Sequence, residues 1–424
     1  MKLGLSAAAL LVVSALTASA KEWPFTVDVR GEVVAELDMR SPGSDWAKPG
    51  REAAVAVASA DGSKPQHLFL YGGPTVNTYR IFLGELAAGE HKLSVERDGP
   101  FSAGETEVAI DAVRFKVYEA SSPAGQAIAS APVLYIRPNT VGKFSDVPMI
   151  VYSERLVQDG KRYLQYTAIF SNEDGGTSTR ALMARWGRTT DIEYMYRVYL
   201  GEDGRPGSAI IQGPNHVEQK WSGPMEGSHP LLMPVTNNNT FGAARQDLSP
   251  MRFQIAPIAA DLNRASRESV MDQYPVTYDV MGKELQREGK LRPFGVVDGE
   301  KISDPRNYLF VDYGATHAQS AFTAVAILKD GREFVSDLGR LDYAISRDGW
   351  VRTTIELPPA TPASDVAGLT FVCKALKPET KGSCTLLGVP RVFLLGADGR
   401  PGPALAFSSG ERTVSTGELV KLTP

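Results

Sequence analysis

The chain has 424 residues, 43% of them hydrophobic, and its 45 Lys and Arg against 49 Asp and Glu leave a net charge of −4. That length outgrows a single hydrophobic core, so more than one domain is expected. No Lys/Arg block of the kind that neutralises a phosphate backbone is present, which argues against nucleic acid as a partner, and beyond the N-terminus no apolar run is long enough to cross a bilayer.

The first twenty residues, MKLGLSAAALLVVSALTASA, set Lys2 before an apolar stretch from Leu3 to Leu16 and end in Ala18-Ser19-Ala20. A positive start, a short apolar core and a small-residue cleavage site make a signal peptide over 1–20. A bacterial-type exported protein, periplasmic or secreted, is expected to begin at Lys21. A retained anchor is the alternative, disfavoured because the run is short and ends in small residues.

Period-two segments then follow at regular spacing: EVVAEL, AAVAVAS, HLFLY, TYRIFL, HKLSVER and VRFKVY, parted by turns such as Asp61-Gly62 and Asp98-Gly99-Pro100. They predict an N-terminal β-sandwich over 21–119. The small, uncharged ASSPAGQAIASAP, 120–132, reads as a linker. A central β-rich domain, 133–291, carries the strand predictions VLYIRP, RYLQYTAIF, RALMARW and DIEYMYRVYL. Near 259–291 the segments ADLNRASRESVMDQY and GKELQREGKL, separated by Pro275, predict two short surface helices.

Strands return in YLFVDY, FTAVAIL, REFVSDL, WVRTTIEL, LTFVC and RVFLL, with an Asp-Gly hairpin turn at Lys329–Arg332. They predict a C-terminal sandwich-like unit over 292–424, either independent or sharing a core with the central region. The fold class is therefore all-β: multidomain antiparallel β-sandwiches with a short helical insert. The two cysteines, Cys373 and Cys384, predict a disulfide tying the strands of a hairpin, since they match no C-x-x-C spacing and have no His beside them. One decapeptide pattern, L-G-x-D-G-R-P-G-x-A, occurs from Leu200 and again from Leu395; it reads as one double turn used twice rather than as a duplication.

Strict alternation along DIEYMYRVYL sets Ile192, Tyr194, Tyr196 and Val198 on a core face and Asp191, Glu193, Met195 and Arg197 on the other. Paired carboxylates suit acid/base chemistry, and Arg185 and Arg188 just upstream suit an anionic sugar; His229 would assist proton transfer. The same pattern also describes a plain ladder of exposed ion pairs. Asn172-Glu173-Asp174-Gly175-Gly176 offers oxygen ligands for Ca²⁺, or simply a turn; no other cofactor or metal is expected. In Gly213 to Phe241 an exposed Trp221 with His216, Asn237, Asn238 and Asn239 is equipment for binding a sugar by stacking and hydrogen bonding. His67, His91 and His317 fall in strands and are assigned to structure.

No G-x-S-x-G elbow, phosphate loop or dinucleotide fingerprint is present. Two function classes remain: a modular protein binding extracellular or cell-envelope glycan, which is preferred, and an extracellular polysaccharide-cleaving hydrolase or lyase using Asp191, Glu193, Arg185, Arg188 and His229. They are distinguished by whether the loop from His216 to Asn239 folds over Asp191 and Glu193 to make one pocket.

Overall fold

The computed structural model describes residues 20–424 except 174, 297, 298 and 408, so the predicted signal segment, Ala20 apart, and Asp174 lie outside the described residues. Strands dominate, as the all-β reading expects. In the N-terminal region β1 (Lys21–Val27), β2 (Gly31–Arg40), β3 (Val55–Ala60), β4 (Gln66–Phe69), β5 (Asn77–Leu86), β6 (Gly89–Arg97) and β7 (Ala109–Tyr118) make two antiparallel sheets ordered β1-β6-β3-β4 and β5-β2-β7. Val33, Ala35, Leu37 and Met39 of β2 are buried at the two-residue spacing read from EVVAEL.

The central region begins with helix α1 (Pro123–Ala129), β8 (Val133–Tyr135), β9 (Pro148–Gln158), β10 (Lys161–Phe170), helix α2 (Thr179–Trp186) and β11 (Asp191–Leu200). It continues with β12 (Pro206–Gln212), β13 (Glu218–Lys220), β14 (Met225–Glu226), β15 (His229–Pro234), β16 (Phe241–Ala243), β17 (Arg252–Phe253) and β18 (Ile258–Ala259). One sheet runs β13-β12-β11-β10-β9-β18, the other β14-β15-β8-β17 with β16 on β15. Helices α3 (Ser269–Gln273) and α4 (Val276–Arg287) flank Pro275 as predicted.

The C-terminal sandwich comprises β19 (Tyr308–Ala318), β20 (Ser320–Leu328), β21 (Glu333–Val335), β22 (Gly349–Glu356), β23 (Val366–Ala375), β24 (Ser383–Leu394), β25 (Arg412–Ser415) and β26 (Leu419–Leu422), in sheets β22-β19-β24-β25 and β21-β20-β23-β26. One core runs from the N-terminal sheets through the central sheets and α4 to Phe310 and Phe393; a second fills the C-terminal sandwich. The sheet holding β19 therefore packs on both faces, which is why YLFVDY is apolar without alternation.

Four expectations are corrected. The stretch 120–132 is not a bare linker: Ser122 caps α1 by accepting the Gly125 N–H at 3.0 Å, Pro123 opens it, and Ala127 and Ile128 are buried. Its small residues allow close packing, since a Cβ on Gly125 would stand 2.0 Å from the Glu119 carbonyl oxygen. RALMARW is helix α2, not a strand. Ser178 caps its start, and Gly187 ends it at φ 64° with a Cβ position only 2.9 Å from the Arg352 side chain. Helices α3 and α4 are not surface features, because Met271, Tyr278, Met281 and Leu285 lie in the core. Cys373 and Cys384 are joined with Cα atoms 5.7 Å apart, but β23 and β24 belong to opposite sheets, so the bond staples the sandwich instead of a hairpin.

The recurrent decapeptide makes the same turn in both places, although the first copy continues into β12 and the second forms only an isolated bridge between Leu395 and Pro401. The N–H of Gly201 donates to the Arg205 carbonyl at 2.9 Å and that of Gly396 to the Arg400 carbonyl at 2.8 Å, while Asp203 and Asp398 accept from the same two arginine N–H groups. Among the described residues no helix is long and apolar enough to cross a membrane.

Candidate functional site

The start of β11 is built differently from the predicted alternation. Tyr166 of β10 pairs with Tyr196 and Thr167 with Tyr194, so Met195 is an extra, bulged residue. The bulge resets the faces: Tyr194 and Arg197 line one cleft together with Gln165 and Thr167, while Asp191 and Met195 are fully buried and Glu193 nearly so. The predicted exposed polar ladder is thus corrected to a buried network.

That network is dense. Arg188 reaches Glu268 at 3.3 Å, Asp191 at 3.8 Å and Glu173 at 4.0 Å. Asn239 donates to Asp146 at 3.1 Å and to Asp191 at 3.0 Å, and Asp146 is ion-paired with Arg137, which also bonds Asn237. Glu193 accepts from Gln212 and lies 3.8 Å from His216 Nδ1, whose other ring nitrogen meets Asn238 at 2.9 Å. Burial, then the Glu193 charge, pushes the Asp191 carboxyl up to about 7; burial also raises Glu193 and Glu173. Burial acts the same way on Glu268, but Arg188 and Arg267 outweigh it and hold that carboxyl below its ordinary value.

The loop from His216 to Asn239 therefore does fold onto Asp191 and Glu193, yet neither carboxylate lines the cleft on the far face of the sheet, of about 540 Å³, or the cavity of about 710 Å³ beside it. The remaining predicted residues are not brought to them. Arg185 stacks on Trp186, 4.5 Å from the ring centre. His229 stacks on Phe82 at 4.7 Å and bonds the Ala131 carbonyl, with burial lowering its pKa. Trp221 is half-buried, at right angles to Tyr196 with ring centres 6.4 Å apart and its N–H on Met225 Sδ, away from Asp191 and Glu193. Among the described residues no group of three His, Cys, Asp or Glu is placed to hold a metal ion. His67, His91 and His317 pair with Asp98, Asp61 and Asp348.

The open site lies on the other face of the sheet. A cleft of about 540 Å³ is walled by β9, β10 and β11 on one side and by the segments around Arg267 and Trp350 on the other, with Arg197, Arg267 and Arg347 converging on it. Arg267 joins it to the buried network, 3.6 Å from Glu268. Arg197 is held by Gln165 at 2.8 Å and Glu218 at 3.1 Å and lies over the Tyr194 ring at 5.1 Å. Arg347 is different: it donates to the Arg185 carbonyl at 2.9 Å, rests over Trp186 at 5.1 Å and has no carboxylate at ion-pair distance among the described residues. Burial lowers its pKa to about 10, with Glu268 opposing. Sequence reasoning passed over Arg267, Arg347 and Trp350; the Arg-Asp-Gly-Trp run at 347–350 is a signal, but nothing in it says that this turn faces β11.

No family model matches the chain, and no curated protein matches it. Two solved structures, titled NLPPya in complex with glucosamine and NLPPya in complex with mannosamine, are similar over 33% of this chain and 74% of theirs, at 13% and 12% identity and a TM-score of 0.23. A TM-score that low assigns neither fold nor ligand.

Proposed function

We propose that this chain is an exported glycan-binding protein whose cleft between the central sheet and the C-terminal sandwich takes a sugar bearing a carboxylate. The observation that carries the reading is Arg347, a guanidinium held by a neutral oxygen inside a cleft that also presents Tyr194, Trp350 and two more arginines. A planar guanidinium with no carboxylate at ion-pair distance matches a ligand carboxylate bidentately, and the Tyr194 and Trp350 rings, which carry Arg197 and Arg264, line the same cleft with apolar and cationic surface. Export rests on the N-terminal twenty residues and the disulfide pair.

The test is an array of polysaccharides read for both retention and new reducing ends. Uronate-bearing polymers should be retained and uncut, neutral glucans not, and Arg347→Gln should weaken retention about 10- to 100-fold, the worth of one charged hydrogen-bond partner. Retention of no polymer, or unaltered retention by Arg347→Gln, overturns the reading. A second reading, cleavage by Asp191 and Glu193, is favoured by one observation, the Asp191 carboxyl held at about 7. New reducing ends that vanish in Glu193→Gln would establish it instead.

A further inference from the structure

A second cavity, of about 710 Å³, adjoins the first: Glu154 and Leu262 line both. Each is of the size that encloses a drug-sized molecule, so the pair exceeds what one monosaccharide fills. The second cavity repeats the chemistry of the first. It is lined by Arg80 and Arg155 and by Tyr118 and Tyr274, over a floor that includes Ile128 and Ile258. Arg155 is held as Arg347 is, by neutral oxygens: the Pro123 carbonyl and Gln126 Oε1, both at 2.8 Å, with no carboxylate at ion-pair distance among the described residues.

We propose that the occupant is a linear acidic oligosaccharide that runs through both cavities past Glu154 and Leu262, one carboxylate reaching Arg347 and another, further along the chain, reaching Arg155; this rests on reading the first cleft as an acidic-glycan site. The two cavities open on opposite faces of the sheet, since Glu154 pairs with Gln165 and the neighbouring Arg155 with Leu164. The ligand therefore rounds the edge of β9 at Glu154 and Leu262, and chemistry that repeats along its length matches guanidinium and aromatic groups at both ends of that path. Among the described residues no acidic group on the walls stands at ion-pair distance from Arg347 or Arg155, although the Glu268 charge acts on Arg347. Glu268 is engaged with Arg188 and Arg267, Asp348 with His317 at 3.2 Å, and Asp261 with the Asn263 N–H at 3.1 Å. At the junction itself burial raises the Glu154 carboxyl, which lessens its repulsion of a passing anion.

The experiment is calorimetric titration of the full protein with digalacturonate and hexagalacturonate. The hexamer should bind at least about tenfold more tightly than the dimer. Arg155→Gln, and separately Ala124→Trp, which projects a large ring into the second cavity from an exposed position on α1, should each abolish that gain; Arg347→Gln should weaken both ligands. Equal affinity for dimer and hexamer, or a length gain that survives both α1-side changes, overturns the two-cavity proposal and leaves the acidic-glycan site standing. Binding of neither ligand overturns both. Circular dichroism of each variant separates loss of contact from loss of fold, and because Arg155 and Ala124 are both exposed the folded state should be kept.

Discussion

At Asp191 a carboxyl has no exposure and its Oδ1 has no hydrogen-bond partner, so its charge is costly to hold in the fold. Its ordinary value of 3.8 rises to about 7 when the chain folds. The folded state therefore keeps a proton that the unfolded chain gives up: the stabilising contribution is complete below about pH 4 and is lost as pH rises through 7. Unfolding free energy measured across that window should fall by on the order of 2–4 kcal/mol from this group, and Asp191→Asn should flatten the slope. A variant with the parent's slope would show that Arg188 neutralises the carboxylate after all. At this scale the sequence marks the right neighbours, since Asn239 and His216 do reach Asp191 and Glu193. Burial was not legible there, because it follows from an extra residue at Met195 that strict alternation has no means of expressing.

Among the elements, most strands are readable because period two and Asp-Gly turns are local properties. Helix α2 is the instructive exception: in RALMARW the apolar positions satisfy neither period cleanly, and the deciding signals are Ser178 and Gly187 just outside it. The disulfide shows the same limit from another side. Eleven residues of separation announce a bond, but only the sheet order reveals that β23 and β24 face each other across the core. Replacing both cysteines with Ala removes a short-loop constraint on the unfolded chain and should cost about 3 kcal/mol. Denaturant titration checks this, and an unchanged midpoint would mean that the packing of β23 on β24 carries the sandwich without the staple.

Over the whole molecule the question is how the C-terminal sandwich is held to the rest, because the cleft takes its walls from both. Sequence left this open, and for a physical reason: an apolar run such as YLFVDY signals burial on both faces without naming what covers them. The structure supplies an apolar contact, Tyr278 edge-on to Phe310 at 5.9 Å, and beside it a polar tie. Arg352 of β22 is fully buried; it pairs with Asp312 of β19 at 2.7 Å and Asp272 of α3 at 2.8 Å, and donates to the Tyr278 hydroxyl of α4 at 2.7 Å. Thr353 and Thr354 add bonds to carbonyls of α2 at 2.6 and 2.7 Å. Removing Arg352 strands the buried Asp312 carboxylate with only the Ser266 hydroxyl and leaves Asp272 to Arg391 at 2.7 Å, and breaking a buried pair in this way costs about 3–5 kcal/mol. Because that stranded carboxylate sits between the two cores, Arg352→Met should do more than lower the melting temperature. Calorimetry should show one cooperative transition for the parent and two for the variant, the disulfide-stapled sandwich melting apart from the shared N-terminal and central core. Retention of uronate polymers should fall in parallel, since Trp350 and Arg347 would no longer be fixed against Tyr194 and Arg197. Two transitions already present in the parent would mean that the sandwich is an independent body, and the cleft would then be set by contacts other than Arg352.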